Sequence, residues 1–131
     1  MIMRKIAEAF RALGDETRLR ILALLIHAEL CVCEIELILN LPQPRVSHHL
    51  GILKDAGLIA DRRNGQMVFY HLVPSHPLWA HAGAGIKQLL DEFVAPEDIV
   101  RLKHCLQHRR EGKEHLAKLR HAWSKAEIRL Y

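Results

Sequence analysis

Apolar residues in this chain recur first at helical intervals, then on alternate positions, then at helical intervals again. Ile6, Ala9, Phe10 and Leu13 form one apolar stripe over residues 2–13. Leu19, Ile21, Leu22, Leu24, Leu25 and Ile26 make residues 16–28 apolar almost all round, which predicts a buried helix. Between them, Gly14 can end the first helix and Asp15 can cap the second. Ile35, Leu37, Ile38 and Leu39 mark a short helix over 34–41, broken at Asn40-Leu41-Pro42. Pro44 suits the first turn of the next helix, which runs to Ala56 and closes at Gly57. A short helix, a tight turn and a second helix predict a helix-turn-helix. Residues 58–63 and 67–73 then flank Asn64-Gly65, a strong hairpin signal, and a hairpin in that place is a wing.

Pro74 and Pro77 punctuate the chain before a helix over 78–94, with Trp79, Ala82, Ile86, Leu89, Leu90 and Phe93 on one face. Pro96 begins a last helical region in which Ile99, Leu102, Cys105 and Leu106 share a stripe; Gly112 interrupts it, and Leu116, Leu119 and Trp123 resume it. The expected fold is mainly α with a small β-hairpin, a homodimeric winged helix-turn-helix. Residues 1–95 form the DNA-binding and dimerisation domain, and residues 96–131 a basic helical extension. A helical domain of 131 residues commonly enlarges its core by pairing with a second copy.

Charge sharpens the division. The chain carries +4, but residues 101–131 hold nine Lys/Arg against three Glu, so the first hundred residues sum to −2. Bulk charge therefore does not identify the DNA-binding part; the pattern does. Met1 to Leu13 is a charged amphipathic helix rather than an apolar leader, and no apolar run approaches the ~20 residues that span a bilayer. A cytoplasmic protein with no membrane partner is expected.

With Val46 turned inward on the second helix of the motif, Leu50 and Leu53 fall on the same side. Pro44, Ser47, His48, Gly51 and Asp55 face outward, Arg45 lies on the opposite flank, and His49 sits on the boundary. The N-terminal half of such a helix carries base contacts. Gln43, Arg45, Ser47, His48 and His49 are the candidates there, with Gln suited to adenine and Arg to guanine or phosphate. Arg62, Arg63 and Gln66 in the wing are placed to reach phosphates or the minor groove. Lys54 is read as a solvated charge.

Ala12-Leu13-Gly14-Asp15-Glu16-Thr17-Arg18-Leu19-Arg20-Ile21-Leu22, Glu29-Leu30-Cys31-Val32-Cys33-Glu34-Ile35, and Val46-Ser47-His48-His49-Leu50 continuing through Leu53-Lys54-Asp55-Ala56-Gly57-Leu58-Ile59 together resemble the ArsR/SmtB family of metal-responsive repressors. The match covers residues 4–73. The resemblance implies a homodimeric repressor on double-stranded operator DNA, with residues 2–13 and 78–94 building the dimer interface. No cofactor is required; a metal or metalloid inducer releases the DNA. The Cys-Val-Cys segment looks like that of arsenite-responsive members, which implies Cys31 and Cys33 as ligands for trivalent arsenic or antimony. A third cysteine is common three residues after the second, where this chain has Glu36, a hard and poor substitute for a thiolate.

Two thiolates leave a trivalent arsenic with one bond to hydroxide, methyl or aryl. Cys105 is a candidate third ligand, against its reading as a small buried hydrophobe on the Leu102–Leu106 stripe. Residues two apart point about 200° from one another on a helix and lie about 7 Å apart on a strand. Clamping both sulfurs on one atom therefore calls for an irregular helix start, and ligation is expected to unwind the first turn. A helix N-terminus is expected to lower the thiol pKa. The same scaffold also admits a thiol-based redox or reactive-sulfur sensor, pairing Cys33 with Cys105. An enzyme using a cysteine nucleophile finds no partner base near Cys31 or Cys33. For zinc, His81, Asp91 and Glu92 do not reproduce the family's pairs. His104 and His108 share a helical face, with His115 and His121 further along the basic tail.

Overall fold

The computed structural model describes residues 2–109. The first helix, α1, spans Ile2–Leu13, and the second, α2, spans Glu16–Leu25. The Asp15 carboxylate accepts the Arg18 N–H at 3.1 Å and so caps α2, as expected. Arg18 also works backwards, donating to the Ala12 carbonyl at 2.6 Å and satisfying a carbonyl that the end of α1 leaves open. Six of the ten residues of α2 are buried, making it the helix the others pack around.

After α2, Leu30–Cys31 forms a short strand, β1, and α3 starts at once with Val32–Leu39. The expected start at Glu34 is thus two residues late, because Cys31 itself is the cap. Asn40 ends α3 in the left-handed region at φ 55. The next helix, α4, covers Gln43–Asp55 with Pro44 in its first turn. Gly57 follows at φ +77, a conformation costly to a side chain; a Cβ there would also press on His76 at 3.3 Å.

The wing is β2 (Ile59–Asn64) and β3 (Met67–Leu72), turning through Gly65. The sequence predicts two strands, but the sheet has three, in the order β1-β3-β2, all antiparallel. A two-residue strand carries too little pattern to be read from sequence. Its pairing, Leu30 with Tyr70 and Cys31 with Phe69, ties the cysteine segment to the wing.

Helix α5 covers Pro77–Phe93 and α6 covers Pro96–His108. Trp79 is buried and donates its indole N–H to the Leu58 carbonyl at 2.9 Å, fixing α5 to the base of the wing. The core gathers Ile21, Leu22, Leu24, Ile35, Ile38, Leu50, Leu53 and Leu58, with Leu102 and Cys105 of α6 closing one side. The apolar stripes of α1 and α5 are only partly used. Phe10 is 58% exposed, Leu89 56% and Phe93 77%. None of the described helices is long and apolar enough to cross a membrane. The interruption at Gly112, the resumption at Leu116, Leu119 and Trp123, and His115 and His121 lie outside the described residues.

Candidate DNA-reading surface and thiol centre

Inward-facing Val46, Leu50 and Leu53 are all buried, so α4 is seated as its periodicity predicts. Gln43, Arg45 and His48 are exposed on its outer side, and Ser47 is half-buried. Gln43 donates to the Ser47 hydroxyl at 3.1 Å, which holds two candidate base-reading groups side by side. His49 departs from the expected role. It is buried, with Nδ1 3.2 Å from Arg18 Nη1 and 3.9 Å from the Asp15 carboxylate. Burial, which outweighs Asp15, lowers its pKa, so the ring is neutral and accepts from Arg18. His49 positions α4 from beneath and does not face outward.

At the wing, Arg63 and Gln66 are exposed near the turn. Arg62 is already engaged. Its guanidinium pairs with the Glu29 carboxylate at 2.6 Å and lies over the Phe69 ring at 5.3 Å. Lys54, read as a solvated charge, pairs with Asp61 at 3.1 Å at half exposure.

The thiol centre begins with a capping box. The Cys31 sulfur accepts the Glu34 N–H at 3.4 Å, and the Glu34 carboxylate accepts the Cys31 N–H at 3.0 Å. Cys31 is buried, whereas Cys33, two residues into the helix, is exposed. The expected acidification of Cys31 by the helix start does not occur. Burial, and next the Glu34 carboxylate, push it up to about 12, so these two effects outweigh the favourable backbone hydrogen bond.

Cys105 of α6 lies on the other side of Glu34, donating to Oε2 at 3.4 Å, fully buried. Its pKa is also raised, by burial first and Glu34 second. Arg109 completes the cluster, donating to both Glu34 oxygens at 2.9–3.1 Å and to the Glu29 carbonyl at 2.9 Å. It too lies against the Phe69 ring, at 5.7 Å. Among the described residues, no group of three His, Cys, Asp or Glu stands ready to hold a metal ion. The structure thus brings Cys31 and Cys105 to one carboxylate and leaves Cys33 outside it. His104 and His108 are stacked with ring centroids 6.4 Å apart, but His108 Nδ1 is bonded to the His104 carbonyl at 2.8 Å.

The sequence patterns above point to neither Glu34 nor Arg109. Cys31-x-x-Glu34 has the spacing of a Ser/Thr-x-x-Glu box with sulfur in place of oxygen, and that signal was available. Arg101, Cys105 and Arg109 follow at steps of four, one stripe of α6 that runs antiparallel along α3. Arg101 donates to the Ile38 carbonyl at 3.1 Å, at the opposite end of α3.

Residues 15–61 match the family model for bacterial regulatory proteins of the arsR family. The chain is 43% identical over 90 residues to the arsenic resistance transcriptional regulator ArsR1 of Pseudomonas putida, covering 67% of this chain and 70% of that protein. The fold is similar to the transcriptional regulator HlyU of Vibrio vulnificus, at TM-score 0.58 and 34% identity, over 70% of this chain and 90% of that one. It is also similar to a homodimeric winged helix-turn-helix DNA-binding domain of Mycobacterium bovis, at TM-score 0.54 and 26% identity, over 82% of this chain and 87% of that one.

Proposed function

Since the chain belongs to the ArsR family of bacterial regulatory proteins, a family of transcriptional regulators and not of enzymes, we propose that it is a homodimeric repressor whose operator DNA is released when trivalent arsenic or antimony bridges Cys31 and Cys33. The observation that carries this reading is the double position of Cys31. It is the last residue of β1, paired with Phe69 of the wing, and it is also the cap of α3, which packs against α4. A ligand that pulls Cys31 toward Cys33 must open the capping box. Opening it disturbs the attachment of the wing and the seat of the recognition helix together.

The raised Cys31 pKa means that the thiol is protonated near neutral pH. Arsenous acid suits such a thiol, because each new arsenic–sulfur bond sends the proton away with a hydroxide as water. DNA contact falls to Gln43, Arg45, Ser47 and His48 on α4, with Arg63 and Gln66 at the wing. Arg62 can join only by giving up Glu29. Dimerisation rests on the uncovered apolar residues Phe10 of α1 and Leu89 and Phe93 of α5. The M. bovis relative is homodimeric, and the P. putida relative is an arsenic resistance regulator.

The test is operator binding by the reduced full-length protein, read by fluorescence anisotropy, with arsenite, antimonite, cadmium, zinc and a polysulfide donor in turn. Arsenite and antimonite should release the DNA, and a Cys31→Ser, Cys33→Ser protein should bind the operator but ignore both. A double variant that still responds to arsenite would overturn the assignment. Release by polysulfide alone would instead favour a thiol-oxidation sensor. In that case Cys31 and Cys105, which flank Glu34, are the pair to examine before Cys33 and Cys105.

A further inference from the structure

The cluster around Glu34 does more than a helix cap needs. Glu34 is 1% exposed, and one of its oxygens takes the Cys31 N–H while the other takes the Cys105 thiol. Arg109 reaches in from the end of α6 and holds both oxygens. A buried carboxylate is costly unless a cation and further hydrogen bonds compensate it, and here Arg109 supplies the cation. Arg109 therefore helps to hold the carboxylate in place. While it stays, it lies between the Cys31 turn and Cys105, binding the very thiol hydrogen that an arsenical would have to displace.

We propose that the Glu34–Arg109 ion pair gates the third sulfur: closed, it confines Cys105 and offers a trivalent arsenical only Cys31 and Cys33; broken, it lets Cys105 complete a three-sulfur site. This rests on the two-thiol reading above and adds to it the residues that decide inducer class. Arsenous acid has three exchangeable hydroxides. Two are replaced by Cys31 and Cys33; the third is replaced only when Cys105 leaves Glu34, forming an arsenic–sulfur bond and releasing its proton with hydroxide as water. Arsenic remains trivalent throughout. An arsenical with one carbon substituent has only two exchangeable positions and is satisfied by Cys31 and Cys33 with the gate shut. The closed gate thus levels the two inducer classes, and an open one favours the inorganic form.

Phenylarsine oxide and arsenite, titrated into the reduced full-length protein, distinguish these states. Glu34→Gln and Arg109→Gln should each tighten arsenite by about tenfold while changing phenylarsine oxide by less than about threefold, a coupling of ordinary size between linked sites. Adding Cys105→Ser should erase the gain, and Cys105→Ser alone should leave arsenite affinity nearly unchanged. Native-state alkylation of Cys105, followed by mass, should accelerate in both gate variants. If Arg109→Gln unfolds because it strands a buried carboxylate, the Glu34→Gln, Arg109→Gln double variant carries no buried charge there and gives the same readout. The gate is wrong if both arsenicals gain equally, if the arsenite gain survives Cys105→Ser, or if Cys105→Ser alone abolishes arsenite binding. If phenylarsine oxide binds the Cys31→Ser, Cys33→Ser protein as well as the parent, the two-thiol reading itself fails. Normal phenylarsine binding with inert gate variants removes only the gate.

Discussion

Among the described residues, two arginine–carboxylate pairs tie α6 to the rest of the molecule, and they are alike in nearly every local respect. Arg20 donates through Nε and Nη2 to both oxygens of Asp98 at 2.8 Å, with Asp98 fully buried and Arg20 about one-third exposed. Arg109 grips Glu34 in the same way from the other end of α6, with the carboxylate again buried and the arginine again about one-third exposed. What differs is the company. Arg20 goes on to the Leu39 carbonyl at 3.4 Å, so its neighbourhood is backbone and core. Arg109 and Glu34 stand among two thiols, a strand end and a helix cap. The same chemical device braces one end of α3 and, in the proposal above, gates a thiol at the other. Its role is set by what it touches rather than by its own strength.

Arg20→Ala separates the two pairs with the largest effect. Stranding Asp98 should lower the unfolding free energy by about 3 kcal/mol, the low end for a buried pair since Arg20 is partly in water. Urea denaturation measures the loss, and the ratio of arsenite to phenylarsine oxide affinity should not move. A changed ratio would mean that the brace and the gate are one unit.

Next in size is acidification. His49 and His76 both have lowered pKa values, burial being the first cause in each. A base whose pKa is depressed on folding contributes stability that is complete above its unfolded value, about 6.5, and is lost as pH falls below that value toward and past the folded one. Stability followed from pH 7.5 to 5.5 should therefore decline. His49 is bonded to Arg18 and His76 to the Leu78 N–H, none of them a member of the two ion pairs, so the decline should be equal in the parent, Arg20→Ala and Arg109→Gln proteins. Unequal declines would place a proton in the gate.

The smallest effect belongs to the half-exposed Arg62–Glu29 pair, which resembles the other two only in composition. Arg62→Ala should cost less than about 1 kcal/mol in a thermal or urea melt, because water already solvates both groups. A larger loss would show that stacking on Phe69 holds the wing more than the charges do.

Much of the fold was legible in the order of residues. Val46, Leu50 and Leu53 had to face inward once the helix was granted, and Asn64-Gly65 left the wing little choice of turn. Asp15, Pro44 and Gly57 marked helix ends by local chemistry alone. Spacing also brought out the Cys31–Cys33 pair, because thiols one residue apart are informative without any knowledge of their surroundings. The short strand before α3 was not legible, since two residues show no period. The inward turn of His49 was only half legible, because a boundary position on a helix is decided by the element beneath it, here Arg18 of α2.

Which segments are helical, where the wing turns and which sulfurs are neighbours can be read from the order of residues, because those properties depend on residues within a turn or two of each other. That Cys31 is buried, that Cys33 is open, and that Glu34 meets Arg109 across 75 positions of chain emerge only once the chain has folded. Those outcomes follow from burial and from partners distant in sequence. Burial raised a thiol pKa that the local helix start alone would have lowered.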